Sequence, residues 1–248
     1  MRPNQCFSGP TAAVILGLPV PPRKSEDIEV ASVTPHHPPR MVGVRGRKIS
    51  QHLVTVTTHR GFRITSPAST WVMLAAELEL ADLVAAGDAV LRCPRIGGTT
   101  RYERPPLATA ASLNAEISRG RRVGLTSARR ALPLLTTQSA SAPESHLRMR
   151  LREWGLPKPA LDHDVYDAAG KFLGCTEIAY PDFMVAFEYE GDHHRVSRKQ
   201  WERDIEKARD YSASGWITVR VTAHLLYTTP DELRRIAESA LRSRGWCP

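Results

Sequence analysis

The chain has 248 residues, of which 42% are hydrophobic and 24% are charged, a composition typical of folded proteins. This length allows one or two hydrophobic cores, and two domains are the better expectation. The N-terminus lacks the pattern of a signal peptide, and no stretch approaches the roughly 20 apolar residues of a membrane span. We therefore expect a cytoplasmic protein without a membrane partner.

The formal net charge of +8 favours an anionic partner, and the basic excess lies wholly in the first half of the chain. Residues 1–143 carry 18 Lys and Arg against 9 Asp and Glu, a net charge of +9, whereas residues 144–248 carry 16 against 17, a net charge of −1. If the ligand is nucleic acid, this distribution predicts phosphate contacts from the N-terminal part. A proteome rich in arginine would raise the pI in the same way, and that alternative stays open.

Residues 1–140 predict a small, basic α+β domain. Short apolar and β-type runs alternate here with proline-rich stretches, so the sheet is expected to be partly irregular. Ser66 followed by Pro67 is typical of a helix N-terminus. The predicted elements are, in order, a helix over residues 11–18, strands over residues 28–33 and 53–56, a helix from Ser66 to Leu78 and a helix over about residues 81–91.

The densest basic patch of the sequence consists of Arg119, Arg121, Arg122, Arg129 and Arg130. Two interpretations are equally open, a surface that contacts phosphate and a solvated helix face. Under the first interpretation, Arg121 and Arg122 are candidate nucleic-acid contacts.

A run of small and polar residues over 136–143 predicts a domain boundary, so a second domain is expected over 141–248. Its predicted elements are a helix from Glu144 to about Trp154, strands over 163–167, 172–179 and 183–190, a helix from Ser197 to about 214, a strand over 216–221 and a helix from Pro230 to about 241. The strand over 183–190 should be central because it begins with five apolar residues without alternation. This order of elements predicts an α/β domain.

Four carboxylates lie in an apolar and aromatic stretch of this second domain, namely Glu177, Asp182, Glu188 and Glu190. Burying charge costs several kcal/mol unless it is compensated, and a divalent cation is the usual compensation. Glu188 and Glu190 are two residues apart on a predicted strand, so they project from the same face about 6.5–7 Å apart. If the preceding hairpin brings Glu177 beside them, these three acids can share one Mg²⁺ or Mn²⁺ ion.

Such an ion orients a water molecule, lowers its pKa and stabilises the charge that develops on a phosphodiester. His194 is a candidate proton carrier or phosphate contact beside it. The alternative for Glu188 and Glu190 is an edge strand that carries two solvated acids. Glu144 has its own alternative explanation, since an acid at a helix N-terminus is favoured by the helix dipole.

At these residues the chain resembles a known family. Residues 144–246 are similar to the endonuclease-like domain related to very-short-patch-repair (Vsr-like) endonucleases, a branch of the PD-(D/E)XK nuclease superfamily. The resemblance depends on the helix opened by Glu144, on Glu177 eleven residues before Glu188-Tyr189-Glu190-Gly191, on His194, on Gln200-Trp201 with Asp204, and on the stretch from Gly215 to Val221.

This resemblance implies a restriction-endonuclease-like fold and a Mg²⁺-dependent endodeoxyribonuclease. The implied metal ligands are Glu177, Glu188 and Glu190, with Glu144 and His194 as further members of the catalytic set. Arg195, Lys199 and Gln200 are the implied nucleic-acid contacts of the same region.

The N-terminal part is similar to the region that precedes this domain in many actinobacterial proteins. There, a helix like the one over residues 65–71 and a segment like 83–88 accompany a winged-helix N-terminus of the AbiEi-antitoxin type. Residues 7–13 resemble the end of that winged helix, which implies a shortened, antitoxin-like remnant in this chain.

Two departures from the family pattern affect the predicted activity. The first metal acid of the family is normally aspartate, and Glu177 is one methylene longer. The superfamily lysine of the Glu-x-Lys pattern is replaced by Glu190, so another cation, Arg195, Lys199 or Arg209, is expected to stabilise the leaving charge. Asp182 follows a proline but lies only six residues before Glu188, and it is predicted to lie outside the site.

The sequence thus predicts a metal-dependent DNA endonuclease. A non-catalytic DNA-binding or antitoxin-like regulatory protein with a decayed nuclease site is the alternative, motivated by Glu177 in place of aspartate and by the basic first half. An interaction protein without a nucleic-acid role is the third, weaker possibility.

Overall fold

The computed structural model describes residues 1–22, 26–191 and 198–248, with side chains in the last range described from residue 203 onward. The chain divides into two compact units. Unit 1 consists of Met1–Arg92 and Pro105–Thr137, and unit 2 of Cys93–Arg104 and Gln138–Pro248. Each unit combines a mixed sheet with helices, so the protein belongs to the predicted α/β class.

Unit 1 contains a mixed sheet in the strand order β3-β2-β1-β5-β4. Its elements are β1 (Gln5–Phe7), α1 (Gly9–Leu16), β2 (Ile28–Val33), β3 (Val44–Ile49), β4 (Val56–His59), β5 (Phe62–Thr65), α2 (Pro67–Leu74), α3 (Leu80–Leu91), α4 (Ala110–Ser118) and α5 (Leu125–Ala131). The predicted strand over 53–56 is wrong in its first residues, because Gln51–Leu53 form a 3-10 turn and the strand begins at Val56. The Thr55 N–H donates to Ser69 Oγ at 2.8 Å instead of to a neighbouring strand.

Helix α2 begins where the sequence predicts, and its buried side chains form part of the core of unit 1. The Ser66 side chain accepts a hydrogen bond from the Ser69 N–H at 3.2 Å, which satisfies one of the free donors of the first turn. One turn later, the fully buried Trp71 donates from Nε1 to the Leu83 carbonyl oxygen at 2.9 Å. Gly87 of α3 packs against this indole so closely that a Cβ there would lie 2.7 Å from Trp71 Nε1.

Unit 2 contains a four-stranded sheet in the order β6-β7-β8-β9. Its elements are α6 (Ala142–Glu153), β6 (Ala160–Tyr166), β7 (Phe172–Tyr180), β8 (Val185–Glu190), α7 (Arg198–Ala213), β9 (Ile217–Thr222) and α8 (Pro230–Arg242). β6, β7 and β8 pair antiparallel in turn, and β9 pairs parallel with β8. The order of elements is the predicted one, and β8 is an internal strand, as its apolar run predicts.

The core of unit 2 is formed by helices α6 and α8 together with the apolar residues of the sheet. Leu147 and Leu151 of α6, Phe187 of β8 and Leu233 and Leu241 of α8 are all fully buried in this cluster. These leucines recur at helical spacing, which explains why one side of each helix faces the sheet.

The segment Cys93–Arg104 belongs to unit 2, although it lies within the first predicted domain, residues 1–140. Arg95 explains the difference: its guanidinium binds both carboxylate oxygens of Asp164, at 2.6 and 2.8 Å, and Asp162 Oδ2 at 3.1 Å. These bonds raise the pKa of Arg95 and lower that of Asp164. The later boundary lies between Thr137 and Gln138, three residues before the predicted one.

Among the helices that the structure describes, none is both long enough and apolar enough to cross a membrane.

Replacing Leu151 by alanine should destabilise unit 2. The side chain is fully buried in the cluster between α6 and the sheet, so truncation leaves a cavity and should lower the free energy of unfolding by about 2–5 kcal/mol. Urea unfolding followed by circular dichroism measures the change. The exposed neighbour Arg152, replaced by alanine, is the matched control and should shift the free energy by less than about 0.5 kcal/mol. Equal effects of the two substitutions would contradict this packing.

Candidate active site

Strands β7 and β8 place Glu177 and Glu188 side by side. The antiparallel ladder ends with the pair Ile178 and Phe187, and Glu177 and Glu188 are the residues next to this last pair on the two strands. Glu177 Oε2 also accepts a hydrogen bond from the Tyr189 N–H at 2.8 Å. This bond fixes the Glu177 side chain against β8, beside the carboxylate of Glu188.

Lys207 of helix α7 supplies a positive charge to this pair. Its Nζ forms an ion pair with Glu188 Oε1 and lies 5.3 Å from the centre of the Tyr211 ring. The Lys207 and Glu188 side chains are only 26% and 19% exposed, so solvent screens their attraction less than that of a surface pair. The partly buried acid is thereby compensated by a group of the protein itself.

Glu144 connects the start of α6 to the same acids. Its carboxylate accepts hydrogen bonds from the Ala140 N–H at 2.7 Å and from Ser141 Oγ at 3.0 Å. The Ser141 side chain in turn accepts from the Glu144 N–H, at 3.4 Å, an arrangement that stabilises a helix N-terminus. Glu144 thus stabilises the N-terminus of α6, which was the alternative explanation for an acid at this position. Its charge also acts on Glu177.

The surroundings of Glu177 raise the pKa of its carboxyl group from 4.5 to about 8. Burial is the largest cause, followed by the charge of Glu144, while Glu188 adds a smaller repulsion. The hydrogen bond from Tyr189 and the charge of Lys207 oppose the increase without cancelling it. Near neutral pH, Glu177 therefore holds a proton in the folded protein.

Glu190 has a different partner from the other two predicted ligands. Its Oε1 lies 2.9 Å from Arg220 Nη1 on β9, and both side chains are more than a third exposed. Within the part of the chain that the structure describes, no group of three or more His, Cys, Asp or Glu side chains is arranged to hold a metal ion. The structure brings together Glu144, Glu177 and Glu188, but it pairs Glu190 with Arg220.

Several other predicted site residues lie elsewhere or cannot be placed. Asp182 is exposed in the 3-10 turn Pro181–Phe183, and its exclusion from the site stays a prediction. His194 and Arg195 lie outside the described residues, as do the side chains of Lys199 and Gln200. The roles of these four residues stay predictions.

The two candidate arginines of unit 1 differ in their surroundings. Arg121 is exposed in the turn before α5. Arg122 donates to the carbonyl oxygen of Leu53 at 2.7 Å and to that of Glu116, and burial lowers its pKa. The Arg122 guanidinium thus stabilises the fold of unit 1 through these two bonds, whereas Arg121 is open to solvent.

Sequence reasoning missed Lys207 and Tyr211. They lie four residues apart on α7, the spacing that places two side chains on one helix face. Tyr211 is fully buried, and burial together with the nearby Glu188 raises the pKa of its hydroxyl. The sequence signal for these two residues was an aromatic side chain one turn after a lysine in an otherwise highly charged helix. Arg209, named as a possible substitute for the family lysine, is instead 73% exposed and lies 4.0 Å from Asp210.

The raised pKa of Glu177 predicts a pH-dependent stability. The folded protein binds this proton more tightly than the unfolded chain, so the contribution of Glu177 to stability is complete below pH 4.5 and is lost as the pH rises to about 8. Glu177→Gln should remove this loss, so that the variant gains stability relative to the wild type between pH 5 and pH 8.5. Urea unfolding across that range measures the difference.

The exposed Glu153, replaced by glutamine, is the control for this experiment and should leave the pH profile unchanged. Titration of the carboxyl carbon of Glu177 by NMR measures the pKa of this group directly. A titration midpoint near pH 4.5 would contradict the raised pKa of Glu177.

Comparison with known proteins finds two uncharacterized proteins of Mycobacterium tuberculosis, MT2308 of strain CDC 1551 / Oshkosh and Rv2248 of strain ATCC 25618 / H37Rv. Each is 29% identical to this chain over 204 residues, which cover 82% of this chain and 67% of the relative. No family model matches the chain, and no solved structure matches it. The chain is therefore similar to mycobacterial proteins that are themselves uncharacterized.

Proposed function

We propose that unit 2 is a metal-dependent DNA endonuclease that hydrolyses phosphodiester bonds. The observation that carries the proposal is the placement of Glu177 beside Glu188 on adjacent strands, with Lys207 reaching the same pair from α7. An α/β unit with helix, three strands, helix, strand and helix supports the finer proposal of a restriction-endonuclease-like arrangement.

The donor set at these acids fits Mg²⁺. This ion binds oxygen ligands, commonly through one or two carboxylates, and keeps several of its waters. Glu177 and Glu188 supply two carboxylates on neighbouring strands, while Glu190 is held by Arg220 and fits less well as a third ligand. When bound there, Mg²⁺ or Mn²⁺ would supply a water of lowered pKa and stabilise negative charge on the phosphate.

The other residues of the site would act around this acid pair. The Lys207 ammonium group is placed to stabilise the negative charge that develops on the scissile phosphate, the task that the family pattern gives to its lysine. The Tyr189 N–H holds the Glu177 carboxylate in a fixed orientation. Glu144 raises the proton affinity of Glu177 from the N-terminus of α6.

DNA is the proposed partner because the basic excess of the chain lies in its first half. The net charge of +9 over residues 1–143 is suited to phosphate contacts, which supply most of non-specific DNA affinity. The near-neutral remainder carries the proposed cleavage site.

A second function is favoured because the charges of Glu177 and Glu188 are already compensated by groups of the protein. Lys207 neutralises Glu188, and Glu177 carries a proton near neutral pH, so this pair needs no metal to be stable inside the fold. A non-catalytic DNA-binding or antitoxin-like regulatory protein with a decayed nuclease site is the alternative that these contacts support.

Cleavage of DNA should depend on the paired acids and not on their neighbours. Supercoiled plasmid incubated with the protein and Mn²⁺ or Mg²⁺ should be nicked or linearised, and Glu188→Ala should slow the reaction at least about 100-fold. Asp182→Ala is the matched control, since Asp182 is an exposed acid six residues earlier, and it should cut at the wild-type rate. Agarose electrophoresis over time measures both rates.

A wild-type protein that cuts neither plasmid nor linear DNA would defeat the enzyme proposal. If this inactive protein still binds DNA with an affinity that falls steeply with salt, the result would favour the regulatory alternative. Cleavage lost equally in the Asp182 variant would show that the acid pair is not the site.

Metal binding should become tighter as the pH rises. A cation requires the ionised form of Glu177, so below its pKa of about 8 each binding event must displace a proton. Calorimetry with Mn²⁺ should show an affinity that increases about tenfold per pH unit between pH 6 and pH 7.5. The Glu177→Gln variant should bind weakly with little pH dependence, and a flat wild-type profile would contradict this role of Glu177.

A further inference from the structure

Unit 1 contains an open cleft of about 650 Å³, which lies within the size range of small-molecule sites. Its walls come from the loop after β2, from the residues around the start of β4, from β5 and from the C-terminal end of α4. The nuclease proposal assigns no role to this cleft.

The lining of the cleft is cationic. Arg63 and Arg119 contribute the positive charge, and among the described residues that line the cleft there is no aspartate or glutamate. Valine and proline side chains of the same walls offer apolar surface next to these groups. A ligand that combines negative charge with an apolar portion is complementary to this lining.

Arg119 is held in place by partners behind the cleft. Its Nε lies 2.9 Å from Glu116 Oε2, and its Nη2 donates to Thr55 Oγ1 at 2.7 Å. Glu116 is almost fully buried and is itself fixed by a hydrogen bond from Ser69 Oγ at 2.5 Å. These contacts use two of the five N–H groups of the guanidinium, which leaves donors in a fixed orientation for a ligand.

Arg63 adds a second guanidinium from β5. The side chain is exposed and lines the cleft. Two guanidinium groups at one cleft suit an oxyanion with several oxygens and more than one negative charge, because each presents parallel N–H donors. Phosphate esters have that chemistry.

We propose that this cleft binds a phosphate monoester of nucleotide size, with its phosphate at Arg63 and Arg119 and its organic part against Val33, Val54 and Val56. The ligand is either a free mononucleotide or the 5′-phosphorylated end of a single-stranded oligonucleotide, since both carry the same group. This proposal does not depend on cleavage by unit 2.

Calorimetry on the full chain without metal tests the proposal, with 5′-adenosine monophosphate, a 5′-phosphorylated trinucleotide and adenosine as probes. At least one phosphorylated probe should bind, and adenosine should bind at least about tenfold more weakly. The Arg63→Gln variant should weaken binding of the phosphorylated probe by a similar factor. The probe that binds more tightly identifies the source of the phosphate.

Arg130→Gln is the control, because Arg130 is an exposed arginine of the same unit that does not line the cleft. It should bind as the wild type does. Arg63 is the residue of choice because replacing Arg119 would remove the cation that pairs with the buried carboxylate of Glu116. Absence of binding, equal binding of adenosine, wild-type binding by Arg63→Gln or equal losses in both variants would each overturn the proposal.

Discussion

Two carboxylates on neighbouring strands of unit 2 act on each other electrostatically, and the fold around them compensates a charge that the protein interior disfavours. Glu177 keeps its proton up to a pH of about 8, and Glu188 is neutralised by Lys207. The Tyr189 N–H gives the first carboxylate a fixed partner. With Glu177 protonated and Glu188 paired with Lys207, neither acid carries an uncompensated charge near neutral pH. Any ligand that binds here must compete with these two internal partners.

Much of unit 2 could be predicted from the sequence because its signals are local. The apolar run that begins at Val185 gives an internal strand, and leucines at helical spacing give α6 and α8. Unit 1 was less predictable, because its sheet depends on long-range pairing of short strands. β1 has only three residues, yet it lies between β2 and β5 and pairs with them in opposite directions. No periodicity in three residues indicates such a position.

The site was predictable to the extent that it depends on strand register. The sequence left the approach of Glu177 to Glu188 conditional on a hairpin, and the structure pairs β7 with β8 as far as Ile178 and Phe187, the residues next to these acids. The partner of Glu190 was not predictable, because the position of Arg220 depends on the parallel pairing of β9 with β8 across an intervening helix. Lys207 was not indicated for a similar reason: in sequence it is one of many charges on α7, and only tertiary packing shows that its ammonium group reaches Glu188.

The segment Cys93–Arg104 has a consequence for how this protein can be divided. The chain passes between the two units three times, after Arg92, after Arg104 and after Thr137. A fragment that starts at Gln138 would therefore lack Arg95 and leave Asp162 and Asp164 without their guanidinium partner. Recombination at one linker cannot transfer unit 2 intact to another protein. Transfer of unit 2 would have to include Cys93–Arg104 together with Gln138–Pro248.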